Sequence, residues 1–210
     1  MTQPRGHLVD RMTIRLAAIA LSIMAVATAC GSSEPTGLAG IVREPAPDVS
    51  WVTLSDGSAG SADFTTKASE GRLLLVYFGF TFCPDVCPTT LADTRKALRE
   101  LGDDADLVDV AMITIDPERD GPQDLTAYIR AFFDDGHALR TDDANVLRRA
   151  ADAYGADYRV TKRDDGAVEV EHSAFLYAVD SQGRILVQWA FGTPSEDITN
   201  DLAYLFNQGV

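Results

Sequence analysis

The sequence predicts an α/β domain with a mixed central sheet, helices on both of its faces and an N-terminal β-hairpin extension. Leu73–Phe78 is apolar on both of its faces, as a strand in the middle of a covered sheet must be. Strands alternate with helices after it, whereas the last third of the chain predicts consecutive hairpins and a closing helix. Cys83 and Cys87 leave this central strand and open the next helix. That position makes the predicted fold thioredoxin-like.

The first half of the domain is predicted from hydrophobic periodicity and turn residues. A segment rich in Asp, Gly and Ser separates two short apolar runs, which indicates a hairpin before the central strand. Beyond the dithiol, apolar residues at helical spacing alternate with one further apolar strand. The predicted elements are a hairpin of Val49–Leu54 and Ala62–Thr65, a helix ending at about Leu101, a strand over Leu107–Ile115, and helices over Pro122–Phe133 and Asp142–Tyr154.

Two hairpins and a final helix are predicted for the second half. Asp165-Gly166 is a strong hairpin signal between two alternating segments. Thr193–Glu196 has the pattern of a capping box with Pro194 at the first helical position, so we expect the last helix to start there. The predicted strands are Tyr158–Lys162, Ala167–Glu171, Phe175–Val179 and Arg184–Ala190.

The N-terminus has the pattern of an export signal. Arg11 and Arg15 precede Leu16–Ala29, an apolar stretch shorter than a membrane-spanning helix needs. Small residues then lead to Cys30, which resembles the lipobox of bacterial lipoproteins, although Ala27 stands where that motif usually has Leu. We therefore expect a signal peptide over 1–29 and a lipid anchor at Cys30, which would place the domain at the cell membrane on the extracytoplasmic side. The alternative is an ordinary cleavage site that happens to precede a cysteine.

The rest of the chain is long enough for one well-buried domain. Residues 30–46 are polar and rich in Gly and Pro, which predicts a flexible tether, and residues 47–210 form the predicted thioredoxin-like domain. The net charge of −14 would repel nucleic-acid phosphates, so we expect no nucleic-acid partner. It is compatible with a basic protein partner or a cationic ligand.

The chain has three cysteines, and the two inside the domain lie four residues apart. At that spacing on a helix, Cys83 and Cys87 share one face. A helix N-terminus favours the thiolate, and two soft thiolates are the ligands that Cu(I) selects. Two buried structural thiols are the alternative, and thiol–disulfide exchange is the main rival activity.

The spacing of the dithiol and the position of His172 favour metal binding over exchange. Three residues separate Cys83 from Cys87, whereas thioredoxins have two. Thioredoxin-type oxidoreductases place a cis-proline before the strand that corresponds to Phe175–Val179. Here no proline occurs between residues 122 and 194, and His172 stands at that place. An imidazole with two thiolates suits Cu(II) as well as Cu(I). The alternative for His172 is a polar residue at the start of a strand.

Three segments together resemble the signatures of the SCO/SenC family of copper chaperones for cytochrome c oxidase: Tyr77–Thr90, Ile115–Asp120 and His172-Ser173. The resemblance covers about residues 47–207. It implies one copper ion, Cu(I) or Cu(II), bound by the two cysteines of the first segment and by the histidine of the third. Asp116 carries over as a nearby acidic residue, either a weak fourth ligand or a partner of a ligand. Its alternative role is that of a capping Asp after a strand.

The family resemblance implies a metallochaperone, a binding protein without turnover. It would assemble the dinuclear copper site of cytochrome c oxidase subunit II, or supply another copper-accepting exported protein. The alternative is a membrane-anchored thiol:disulfide oxidoreductase that acts on exported cysteine pairs, with Cys83 and Cys87 as its redox-active pair. A peroxiredoxin-like peroxidase is disfavoured, because Phe80 stands where such enzymes have Thr.

Overall fold

A seven-stranded mixed sheet forms the centre of the structure, a computed structural model that describes residues 37–210. The strand order is β2-β1-β5-β4-β3-β8-β9, and β6 pairs with β7 in a separate two-stranded sheet. Strands β3, β4 and β5 run parallel, and the remaining pairs are antiparallel. The strands are β1 Thr53–Asp56, β2 Ala62–Thr65, β3 Leu73–Gly79, β4 Val108–Thr114, β5 His137–Arg140, β6 Tyr158–Lys162, β7 Val168–His172, β8 Phe175–Val179 and β9 Ile185–Ala190.

Four helices accompany the sheets within the described residues, together with two short 3-10 segments. The third helix has the expected ends, because the Asp143 carboxylate accepts the N–H groups of residues 145 and 146 and Gly155 closes it with φ 67°. None of the helices between residues 37 and 210 is both long and apolar enough to cross a bilayer. The helices are α1 Val86–Leu101, α2 Pro122–Arg130, α3 Ala144–Tyr154 and α4 Ser195–Asn207, and the 3-10 segments are Gly57–Ala59 and Gly102–Leu107.

Neighbouring residues of β3 show that helices cover both faces of the sheet. The ring of Phe78 meets that of Tyr154, the last residue of α3, with centroids 5.2 Å apart. Tyr77 points the other way, toward Gly79 and the Cys87 thiol at the start of α1. Because successive side chains of a strand alternate between faces, α1 and α3 lie on opposite sides. The mixed sheet with helices on both faces is therefore confirmed.

Residues 39–41 contact the domain, although the sequence assigns them to the tether over 30–46. The Asp201 carboxylate accepts the N–H groups of Ala39 and Gly40, both at 2.8 Å, and also that of the Trp189 indole at 2.7 Å. A Cβ at Gly40 would lie 2.3 Å from Val187, so only glycine allows this approach. Residues 1–36, which include the predicted signal peptide and Cys30, lie outside the described part of the chain.

Several local features differ from the sequence prediction. The first strand runs over Thr53–Asp56 rather than Val49–Leu54. No strand is predicted between residues 133 and 142, but His137–Arg140 form β5, which pairs with β1 and β4. The predicted capping box of α4 is also wrong. The Thr193 hydroxyl donates to the carbonyl oxygen of Ala190 at 2.8 Å, and no side chain caps the helix.

A buried carboxylate, Asp56, joins the N-terminal hairpin to β5. It accepts hydrogen bonds from the Ser58 hydroxyl at 2.7 Å and from the Ala138 N–H at 3.0 Å, and it faces His137 Nδ1 at 2.7 Å. Burial raises the pKa of Asp56, but the hydrogen bonds from Ser58, His137 and Ala138 outweigh burial and hold the pKa below 3.8. The hairpin extension is thus fixed through an ionised group.

We expect Asp56→Asn to lower the free energy of unfolding at pH 7 by about 1–3 kcal/mol, because a charged acceptor is lost. Because the pKa of Asp56 is lower in the folded than in the unfolded protein, its ionised carboxylate stabilises the fold above about pH 4. This stabilisation is lost as the pH falls through the folded-state pKa. The difference between wild type and variant should therefore shrink in acid. Urea unfolding at pH 7 and at about pH 3 measures it, with Asp63→Asn on the exposed side of β2 as control. A difference that stays constant with pH would contradict the assignment.

Candidate metal centre

The two cysteines meet where β3 leads into α1. Cys83 lies in the connecting loop, where its N–H donates to the Phe80 carbonyl oxygen at 3.3 Å. Cys87 is the second residue of α1, and its N–H donates to the Cys83 sulfur at 3.3 Å. Asp85 makes no side-chain capping bond, so this sulfur takes the place of a capping acceptor at the helix N-terminus. The sulfur thereby pairs an N–H group that the first turn of the helix leaves without a partner.

His172 completes a cluster with the two thiols. Its Nε2 lies 3.7 Å from the Cys87 sulfur, and the ligand atoms of Cys83, Cys87 and His172 all lie within 4.8 Å of one another. Within residues 37–210 these three form the one group of cysteine, histidine and carboxylate side chains close enough to hold a metal ion. Two sulfurs and one imidazole form a donor set for a soft or borderline ion. The structure therefore brings together the three residues that the sequence singles out.

The backbone fixes which nitrogen of His172 faces the thiols. Its Nδ1 lies 3.1 Å from the carbonyl oxygen of Ser173, which can only accept, so Nδ1 carries the hydrogen and Nε2 keeps its lone pair. Burial lowers the pKa of His172, and the hydrogen bond to Ser173 raises it by a smaller amount. The ring is therefore neutral near pH 7, as a metal ligand must be.

Aromatic rings hold the imidazole in place. The rings of Tyr77 and Phe80 meet it edge-on, with centroids 6.2 and 6.0 Å away. The backbone of His172 is held in the β6–β7 hairpin, where it pairs with Tyr158. Packing and hydrogen bonding together pre-orient His172 for a ligand between it and the dithiol.

Cys87 is fully buried, whereas Cys83 is partly exposed. Burial, and then the hydrogen bond with Cys83, raises the pKa of Cys87 to about 12. Cys87 therefore keeps its proton at neutral pH until a metal ion displaces it. The centre is accessible from the Cys83 side, where Phe82 is 61% exposed.

Gly79 makes room for Cys87, a role that the sequence analysis did not assign. A Cβ at Gly79 would lie 3.1 Å from the Cys87 sulfur and 2.7 Å from Cε1 of Tyr77. Those distances are shorter than ordinary van der Waals contact, so a larger residue would displace the thiol. The available signal was a glycine directly between a buried strand and the dithiol loop.

Asp116, the expected acidic neighbour, pairs with a cation. Its buried carboxylate forms an ion pair with Arg119, whose guanidinium carbon lies 5.0 Å from the centroid of the Phe82 ring. Asp116 does not belong to the three-residue cluster. It contacts the dithiol loop through Arg119 and Phe82, and a direct role toward a ligand remains a prediction.

Asp120 is the residue that the sequence analysis missed. It is fully buried and accepts hydrogen bonds from the Thr81 N–H at 3.1 Å, the Thr81 hydroxyl at 2.5 Å and the Thr114 hydroxyl at 2.6 Å. These bonds tie the loop two residues before Cys83 to the end of β4. The only signal for Asp120 was its place in the second signature segment, since its partners are fixed by tertiary structure.

We expect Asp120→Asn to loosen this loop, because an amide replaces one carboxylate acceptor with a donor. The free energy of unfolding should fall by about 1–3 kcal/mol, and the buried Cys87 should be alkylated faster. Chemical denaturation and mass spectrometry of alkylated peptides measure the two effects, with the exposed Asp134→Asn as control. Unchanged stability and unchanged Cys87 alkylation would show that Asp120 does not brace the loop.

The fold and the cluster define a thioredoxin-like domain with a two-cysteine, one-histidine candidate metal centre. The family model described as SCO1/SenC matches residues 57–207. The chain therefore belongs to the SCO1/SenC family.

Individual relatives agree with this membership. A SCO2-like protein of Rickettsia prowazekii is 32% identical over a segment that covers 64% of this chain and 66% of that protein, so the match spans just under two thirds of the relative's length. The copper-bound structure of ScoI from Bradyrhizobium japonicum has 31% identity and a TM-score of 0.62, covering 73% of this chain and 96% of that one. A SCO1/SenC family lipoprotein from Bacillus anthracis has 25% identity and a TM-score of 0.59, covering 73% and 91%.

Proposed function

We propose that this protein is a copper metallochaperone that binds one copper ion through Cys83, Cys87 and His172. The observation that carries the proposal is the convergence of three ligand atoms within 4.8 Å, with a neutral imidazole facing a thiol at 3.7 Å. Family membership supports it, because the related ScoI from Bradyrhizobium japonicum has been solved with copper bound.

We expect Cu(I) and Cu(II) to depend on different ligands of the site. Two thiolates satisfy Cu(I), which accepts few, soft ligands. The His172 imidazole adds the harder donor that Cu(II) requires. Binding releases the proton that Cys87 holds in the metal-free protein, so copper uptake is coupled to proton release.

The proposed acceptor is the dinuclear copper site of cytochrome c oxidase subunit II, or another copper-accepting exported protein. The resemblance of the three signature segments to the family of oxidase chaperones supports this choice. Because Cys87 is buried and Cys83 is partly exposed beside Phe82, an acceptor thiol or imidazole would approach along the Cys83 side. Copper would then pass from sulfur to sulfur by ligand exchange.

A second candidate is a thiol:disulfide oxidoreductase acting on exported cysteine pairs. The free dithiol at the N-terminus of α1 favours it, since that is where thioredoxin-like proteins carry their redox pair. Exchange requires only the two thiols, whereas the His172 imidazole adds a third ligand atom within 4.8 Å of both, which makes the chaperone the better-supported function. The two activities exclude each other at any one moment, because a Cys83–Cys87 disulfide leaves no thiolate for copper.

We expect His172→Ala to weaken Cu(II) binding by more than about 100-fold. Mutating a residue that only hydrogen-bonds to a metal ligand weakens metal binding by about 10- to 100-fold, and loss of the ligand itself should cost more. Cu(I) binding should weaken by less than about tenfold, since both thiolates remain. Cys83→Ser and Cys87→Ser should disable both, because a hydroxyl is a poor ligand near neutral pH. Competition with chelators specific for each oxidation state measures these affinities.

The matched control is His137→Ala, which removes another partly buried imidazole outside the cluster. Circular dichroism verifies that each variant is folded. If folded His172→Ala binds Cu(II) as tightly as wild type, His172 is not a ligand, and the oxidoreductase becomes the better assignment.

We also propose that the protein is exported and held at the membrane by a lipid on Cys30. The small-residue run before Cys30 supports this location, as does the Bacillus anthracis relative, which is described as a lipoprotein. A tethered domain on the extracytoplasmic side could reach the exported copper site of an oxidase.

Cys30→Ala should abolish acylation, because the thiol is the attachment point of the lipid. Metabolic labelling with a fatty acid should mark wild type and the Cys83→Ala control but not Cys30→Ala, and the unlabelled protein should leave the membrane fraction. Equal labelling of Cys30→Ala and wild type would refute the anchor.

A further inference from the structure

The Tyr77 hydroxyl is buried without a partner beside the candidate metal centre. Tyr77 has no solvent-exposed surface, and its hydroxyl makes no hydrogen bond to any part of the described chain. Burying a hydroxyl without a partner destabilises the folded state. Such a group needs an explanation, and Tyr77 differs from the unpartnered Tyr154 in that it borders the candidate metal centre.

Tyr77 lies next to two of the three proposed ligands, Cys87 and His172. The Tyr77 ring and the Cys87 sulfur both border the small space next to Gly79. A Cβ built on Gly79 would lie 2.7 Å from Cε1 of Tyr77 and 3.1 Å from the Cys87 sulfur. The Tyr77 ring also meets the His172 imidazole edge-on. A phenol keeps its hydrogen near neutral pH, so the Tyr77 hydroxyl can act as a donor.

The donor needs an acceptor that appears only when the centre is loaded. The sulfur of a thiol is a weak hydrogen-bond acceptor. Once copper displaces its proton, the sulfur is a thiolate, and hydrogen bonds to ionised acceptors are roughly twice as strong as neutral ones. We propose that Tyr77 is a positioning residue whose hydroxyl donates a hydrogen bond to the Cys87 thiolate in the copper-loaded protein. This inference rests on the proposed copper function and specifies what tunes that site.

Thr90 is the competing acceptor near the phenol. Its hydroxyl already donates to the carbonyl oxygen of Val86 at 2.8 Å, which leaves its lone pairs open to Tyr77. Donation to Thr90 would be independent of copper and of the charge on Cys87. A test must therefore separate a hydrogen bond to the sulfur from one to Thr90.

The test compares Tyr77→Phe with Tyr154→Phe. Both substitutions delete a buried hydroxyl that has no partner in the described chain, but Tyr154 lies on the other side of the sheet, against Phe78. Loss of a hydrogen bond to sulfur raises the energy of the sulfur electrons. In Tyr77→Phe the thiolate-to-Cu(II) charge-transfer band should therefore move to longer wavelength, and Cu(I) affinity should fall about tenfold. Tyr154→Phe should change neither.

The outcomes separate this inference from the function on which it rests. A wild-type protein with no charge-transfer band would overturn the proposed copper site itself. A normal wild-type band with an identical band and affinity in Tyr77→Phe would overturn only the role of Tyr77. Thermal unfolding followed by circular dichroism verifies that both variants fold.

Thr90→Val provides the second, independent measurement, which also serves if Tyr77→Phe does not fold. If Tyr77 donates to sulfur, the band of Thr90→Val stays at the wild-type position. If Tyr77 instead donates to Thr90, removal of that acceptor frees the phenol to turn to Cys87, and a shift of the band to shorter wavelength overturns the proposal.

Discussion

Strand β3 is buried along its whole length, and the position of the candidate metal centre depends on that constraint. It pairs in parallel with β4 and antiparallel with β8, so neither of its edges is free to shift. A strand held on both edges and both faces leaves the sheet at one fixed point. Gly79 is that point, and the loop from it to α1 carries Cys83 and Cys87. The dithiol is thus placed by a strand that is buried and paired on both edges, and Asp120 ties the loop to the end of the neighbouring strand β4.

Desolvation favours the uncharged form of both Cys87 and His172. Burial raises the pKa of Cys87 and lowers that of His172, so both residues are uncharged in the metal-free protein. The fold can therefore enclose its ligands without burying an uncompensated charge. Charge enters only with the metal ion, whose positive charge is balanced as the thiol proton leaves.

Much of the fold could be predicted from the sequence, because its signals are local. The apolar run of β3, the turn at Asp165-Gly166 and the dithiol after a strand each occupy a few consecutive residues. His172 was found through its place before β8, opposite the dithiol. Gly79 and Asp120 were missed, since their roles consist of contacts with side chains from other elements.

The missed strand β5 has the same explanation. Strand β5 is four residues long, and its partners β1 and β4 lie far away in the sequence, so its periodicity is too short to distinguish it from a loop. The capping box of α4 failed for a different reason. Thr193 fits the pattern, but its hydroxyl donates to the carbonyl oxygen of Ala190 instead of accepting an N–H of the helix, and a sequence pattern cannot show which local partner the hydroxyl takes.

The contact between Asp201 and residues 39–40 has a practical consequence for the choice of a soluble fragment. A fragment that begins at residue 47, where the composition changes, leaves the Asp201 carboxylate with the Trp189 indole and without two of its backbone donors. It also uncovers the outer edge of β9, where Ile41 pairs with Gln188. Bare sheet edges recruit other strands, so such a fragment invites self-association. A fragment that starts at Gly37 keeps this edge covered, and we expect it to be the better sample for metal titrations.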